Sequence, residues 1–90
     1  MTGTTQAVAS GVAYPVTAVA DAAPESLDQF VGTAAFTITL GATAYRVWGE
    51  GDRTGDHVRF HEKDDVGKDV RVWHVTQTEH GFAAEHVAVF

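Results

Sequence analysis

No cysteine occurs among the 90 residues, so neither a disulfide nor a thiolate metal ligand is available. A domain of this size without such crosslinks must hold itself together with its hydrophobic core alone. No run of about 18 apolar residues is present, which excludes a membrane-spanning helix of the usual length. Lysine is scarce, with Lys63 and Lys68 the only two, and six basic residues face twelve acidic ones for a formal net charge of −6. That balance disfavours strong non-specific attraction to nucleic acid or to an anionic membrane, and no membrane partner is expected. Serine is limited to Ser10 and Ser26, and no nucleophile elbow, P-loop or dinucleotide fingerprint is present. The expectation is a protein that is not an enzyme and needs no cofactor. The opening MTGTTQAVASG has no basic residue and no long apolar stretch, which predicts no secretory signal and a cytoplasmic address.

What is present fits one globular domain. Apolar residues make up 44% of the chain, an ordinary share for a folded protein. Residues 1–6 are small and polar and are expected to fray, leaving a single domain over 7–90. The many alanines, valines and threonines, combined with surplus acid and little lysine, resemble the proteins of salt-loving archaea, whose carboxylates keep the surface hydrated. An ordinary acidic protein from a GC-rich genome is the alternative.

Periodicity predicts a mostly β chain. Val8 to Val19 reads as one bent strand or two short ones, with Pro15 at an edge or a bulge. In DAAPESLDQFVG, Leu27, Phe30 and Val31 stand at i, i+3 and i+4 between Pro24 and Gly32, which predicts a short helix near residues 24–31. Beyond it the period becomes two. Phe36, Ile38 and Leu40 alternate with Ala35, Thr37 and Thr39. Further strands are expected at 43–48, 57–61, 70–76 and 82–89, separated by glycine- and aspartate-rich turns. The fold class is therefore all-β, a five- or six-stranded antiparallel barrel, since closure removes the edges that valine-rich strands would leave open. The predicted core is Phe36, Ile38, Leu40, Tyr45, Val47, Val58, Phe60, Val70, Val72 and Val87, with Leu27 and Phe30 docked on it. The phrases TGDHVRF and KDVRVWHV, followed by a last strand after a glycine turn, make residues 33–90 similar to the back half of an OB-fold. The OB-fold usually carries its helix between its third and fourth strands, whereas here it precedes the second, which keeps an SH3-like barrel as the alternative.

Alternation also assigns an outer face. With the aliphatic residues inward, Arg46 and Trp48, then His57, Arg59 and His61, then Arg71 and Trp73 fall on the outside of neighbouring strands. Indoles that stack bases beside arginines that meet phosphate are the pattern of single-stranded nucleic-acid binding on a barrel. The candidate binding residues are Arg46, Trp48, Arg59, Arg71 and Trp73. Two other assignments compete. The tryptophans could be core, with arginines at the rim. Alternatively the face meets a protein partner or a second copy of the chain, for which Trp and Arg are the usual hot-spot residues. Metal binding has little support. His57 and His61 are four residues apart along a strand, about 13 Å by strand rise, too far to share one ion. The 49–56 loop lacks the regular acidic series of a calcium loop.

If the acidic composition is halophilic, salt must screen self-repulsion among the twelve carboxylates. The melting temperature then rises between about 0.1 and 2 M potassium chloride, over which screening of exposed charges nears completion. A flat response in differential scanning calorimetry removes that assignment.

Overall fold

The computed structural model describes residues 11–90, so the N-terminal residues expected to fray lie outside the described residues. Six strands follow in chain order: β1 (Ala13–Val19), β2 (Gly32–Leu40), β3 (Thr43–Thr54), β4 (His57–Lys63), β5 (Asp69–Thr78) and β6 (Gly81–Val89). Each pairs antiparallel with its sequence neighbours, and β1 pairs with β6 to close a barrel. Among the described residues no helix is long and apolar enough to cross a membrane.

The turns follow from residue chemistry. Leu40 pairs with Thr43, Thr54 with His57 and Thr78 with Gly81, so each of these hairpins has a two-residue loop. Gly41 and Gly55, with φ of 63° and 62°, supply the left-handed backbone that such loops need. Gly49 and Gly51 serve a different purpose on β3. A Cβ on Gly49 would lie 1.9 Å from the His61 carbonyl oxygen, and one on Gly51 would lie 2.0 Å from that of Phe30. Their bareness lets β3 curl tightly against β4 and under the segment before β2.

That segment is shorter than predicted. The two-turn helix is a single 3-10 turn over Leu27–Phe30, entered through Ser26, whose N–H donates to Gln29 Oε1 at 2.9 Å. At three residues per turn, Leu27 and Phe30 point the same way into the core. Val31 is already extended and stays 42% exposed, so the i+4 member of the predicted stripe lies outside the turn. Arg53 Nη1 meets Asp28 Oδ1 at 2.8 Å and ties the turn to β3.

The interior is a single cluster that includes Val16, Val19, Leu27, Phe30, Phe36, Ile38, Leu40, Val47, Val58, Phe60, Val75, Phe82 and Ala84. Edge-to-face aromatic contacts link it, with Phe36 4.9 Å from Phe60 and 5.6 Å from Phe30 between ring centroids. Nine predicted core residues are buried: Leu27, Phe30, Phe36, Ile38, Leu40, Val47, Val58, Phe60 and Val72. Tyr45 is half-buried. The two remaining valines depart from expectation, each at a bulge. Glu62 pairs with Arg71 and Lys63 with Asp69, which leaves Val70 as an extra residue on β5, only half-buried. Val72 pairs with Ala88 and Trp73 with His86, which leaves Val87 as an extra residue on β6, 42% exposed. Val72 is buried, but on the face of β5 opposite Trp73. A bulge inserts one residue and so breaks strict alternation.

Phe60 is fully buried and packs edge-to-face on Phe36. Phe60→Ala should cost about 3–5 kcal/mol in urea unfolding, the usual range for deleting a core phenylalanine. A loss below about 1 kcal/mol would show that β4 presents its other face to the core.

Candidate binding face

The interior takes two of the five candidate residues. Trp73 has no exposed surface and belongs to the core, opposite Phe60 on β4 and 6.0 Å from Phe36 between centroids. Arg71 shares its side of β5, and its Nε lies 3.3 Å from Glu62 Oε1. Both residues expected on the outer face therefore point inward. The deciding group is Glu62, 6% exposed on β4. Its Oε1 accepts the Trp73 indole N–H at 3.0 Å, and its Oε2 accepts the Tyr45 hydroxyl at 2.6 Å. The Arg71 guanidinium also sits over the Tyr45 ring, 5.7 Å from its centroid. A buried carboxylate needs such partners, and they fix the faces of β3, β4 and β5 together. The sequence carried one signal for this: Val75 has the same parity as Trp73, whereas Val70 and Val72 have the other. His86, 5% exposed beside Trp73, also faces inward, and neither ring nitrogen has a partner among the described residues.

Three candidates stand on the outside. Arg46 and Trp48 alternate on β3 with buried Val47, and Trp48 is 47% exposed. Arg59 is exposed on β4, opposite Asp52. Neither Arg46 nor Arg59 makes an ion pair among the described residues, whereas Arg53, Lys63 and Arg71 are each paired with a carboxylate.

The outward positions of β4 form a row that extends the predicted His57, Arg59 and His61 by Lys63. His57, Arg59, His61 and Lys63 alternate with inward Val58, Phe60 and Glu62, so every outward side chain of this strand is basic or can become so. His74 joins the row from β5, opposite Arg59, with its ring 4.5 Å from that of His57. Acids border the row. Glu50 stands opposite His61 and Asp52 opposite Arg59 on β3, and Glu85 stands opposite His74 on β6. Asp56 Oδ1 is 3.3 Å from His57 Nδ1. Asp69 bonds Lys63 and lies 3.7 Å from His61 Nδ1. The hydrogen bond between Lys63 and Asp69 raises the pKa of the lysine and lowers that of the aspartate. Glu50, Asp52, His61, Lys63 and Asp69, with Gly32 and Gly51, line an open depression of about 380 Å³. Among the described residues no three His, Asp or Glu side chains come together as a metal site requires. Compared with known proteins, the chain matches no family model, no curated protein and no solved structure.

Burial, then the hydrogen bond to Glu62 and the charge of that carboxylate, push the Tyr45 pKa up to about 12. Folded Tyr45 thus keeps its proton to higher pH than the unfolded chain, where tyrosine ionises near 10. Its contribution to stability is complete below about pH 10 and is lost as the pH rises towards about 12. Absorbance at the tyrosinate band should show one late-titrating tyrosine that disappears in Tyr45→Phe. Glu62→Gln should bring it part of the way back, because burial remains. Late titration that survives Tyr45→Phe would assign it to the other tyrosine, Tyr14.

Proposed function

We propose that this chain is a non-enzymatic binding module that holds single-stranded nucleic acid on the outer face of β3 and β4. The observation that carries this reading is Trp48, half-exposed on a sheet face beside Arg46 and next to a strand whose outward side chains are His57, Arg59, His61 and Lys63. An exposed indole offers a stacking platform to any base, and a basic row tracks a phosphate backbone. Same-face residues recur about every 7 Å along a strand, close to the spacing of nucleotides in an extended single strand. An OB-like barrel uses its sheet face in this way. The small closed antiparallel barrel supports that likeness, while the sequential strand order, a meander, keeps it at the level of architecture. The setting proposed is the cytoplasm.

One observation favours a second reading. Glu50 and Asp52 on β3 directly face His61 and Arg59 on β4, so the surroundings of Trp48 present both signs of charge. A hot-spot tryptophan within a mixed polar rim suits a protein partner, including a second copy of the chain.

Titration with a short oligothymidine, followed by tryptophan emission, separates the two. Stacking quenches Trp48, while buried Trp73 supplies a constant background. Trp48→Ala should abolish the quench and weaken binding by about 1–3 kcal/mol. With few cations engaged the salt slope should be shallow, about −0.7 for each phosphate neutralised. No quenching at high micromolar oligonucleotide between about pH 5.5 and 7.5, the histidine titration range, would overturn the nucleic-acid reading and leave the protein partner ahead.

A further inference from the structure

We infer that the binding face is gated by pH: protonation of His57, His61 and His74 reverses its sign and switches on capture of a polyanionic single strand. This rests on the function proposed above and adds its regulation. The argument begins with the charges on the face. Arg46, Arg59 and Lys63 stand against Glu50, Asp52, Asp56, Asp69 and Glu85, so with neutral histidines the face is two charges negative. A phosphate backbone approaching Trp48 then meets net repulsion. Protonating the three histidines leaves the same face one charge positive.

The geometry makes this a local switch. Three of the five histidines of the chain lie within one patch. His57 and His61 flank Arg59 on β4, and His74 is its cross-strand neighbour on β5. Carboxylates face the group from every side. Asp56 lies against His57, Glu50 and Asp52 face β4 from β3, Asp69 lies near His61 on β5, and Glu85 stands opposite His74 on β6. These acids accommodate a protonated patch in the folded protein, and the His57 and His74 rings, tilted by 33° with centroids 4.5 Å apart, place two like charges where a bound phosphate relieves their repulsion. Histidine is the side chain type whose unperturbed charge change falls between about pH 5 and 8, which is the window the test must span.

The remaining histidines supply a control. His80 is at the β5–β6 hairpin tip with its side chain 90% exposed, away from the face, and His86 is inside the barrel. Protonating His80 changes the net charge of the protein by as much as protonating His74, but not the charge of the face.

The test is fluorescence anisotropy of a cyanine-labelled oligothymidine titrated with the full chain at about pH 7.5 and about pH 5.5 at equal ionic strength, bracketing the histidine range. Near-ultraviolet circular dichroism at each pH checks that the fold persists. Affinity is expected to rise at least about tenfold at the lower pH, and the salt slope to steepen by up to about 2, about 0.7 for each of three added phosphate contacts. The triple variant His57→Gln/His61→Gln/His74→Gln should lose this gain, and His80→Gln should keep it. If the triple variant does not fold, His74→Gln alone should lose a clear part of the gain. Equal binding at both pH values overturns the gate while the proposed function stands. A gain that survives in the triple variant, or that His80→Gln removes, also overturns the gate, because net charge rather than the patch would then be responsible. Absence of binding at either pH overturns both.

Discussion

One buried carboxylate organises the barrel. Glu62 on β4 accepts the Tyr45 hydroxyl from β3 and the Trp73 indole from β5, and it is paired with Arg71. These bonds replace the water that the carboxylate gives up, and a buried charge that lost one of them would be left uncompensated. They also decide which way β5 faces. Once Trp73 reaches Glu62, Arg71 and Val75 must follow it inward, and His74 must lie outside. The composition of the outer surface, and with it any function of that surface, is thus set from within.

Ion pairs take up half of the scarce positive charge. Of six basic residues, Arg71 serves the interior, Arg53 holds the 3-10 turn, and Lys63 is joined to Asp69. What remains for a ligand on β3 and β4 is Arg46 and Arg59, with histidines that carry charge only under some conditions. In an acidic protein such economy favours a face whose electrostatics are conditional and whose constant element is an aromatic ring.

Much of this was legible in the sequence. Period-two alternation in Phe36–Leu40 and in Val58–Phe60 reveals strand and face together, because neither segment holds an extra residue. The same alternation points Arg46, Trp48 and Arg59 outward, and all three are exposed. The failures have particular causes. Val70 and Val87 are the extra residues of two bulges, and a bulge leaves no unambiguous mark on composition. The parity of Val70 and Val72 points Trp73 and Arg71 outward, whereas the buried acid eleven residues before the tryptophan holds them inward. A carboxylate in the middle of an alternating strand looks like a surface residue until its donors are known. Leu27 and Phe30, three apart, satisfy a 3-10 turn as well as an α-helix, so their spacing alone does not distinguish the two.

The closing seam bears on how the chain finds this structure. Five of the six strand pairings join neighbours in sequence, so each closes a short loop at small entropic cost. The sixth brings Ala13, Tyr14 and Pro15 to Glu85, Ala84 and Ala83, the ends of nearly the whole described chain. Proline contributes no N–H to that short ladder. A meander can therefore assemble hairpin by hairpin and still lack its last ladder. Until β1 arrives, the edge of β6 along Ala83–Glu85 is open to pairing with any strand. Pairing of the β6 edge during folding is thus a contest between that one distant partner and strands of other chains.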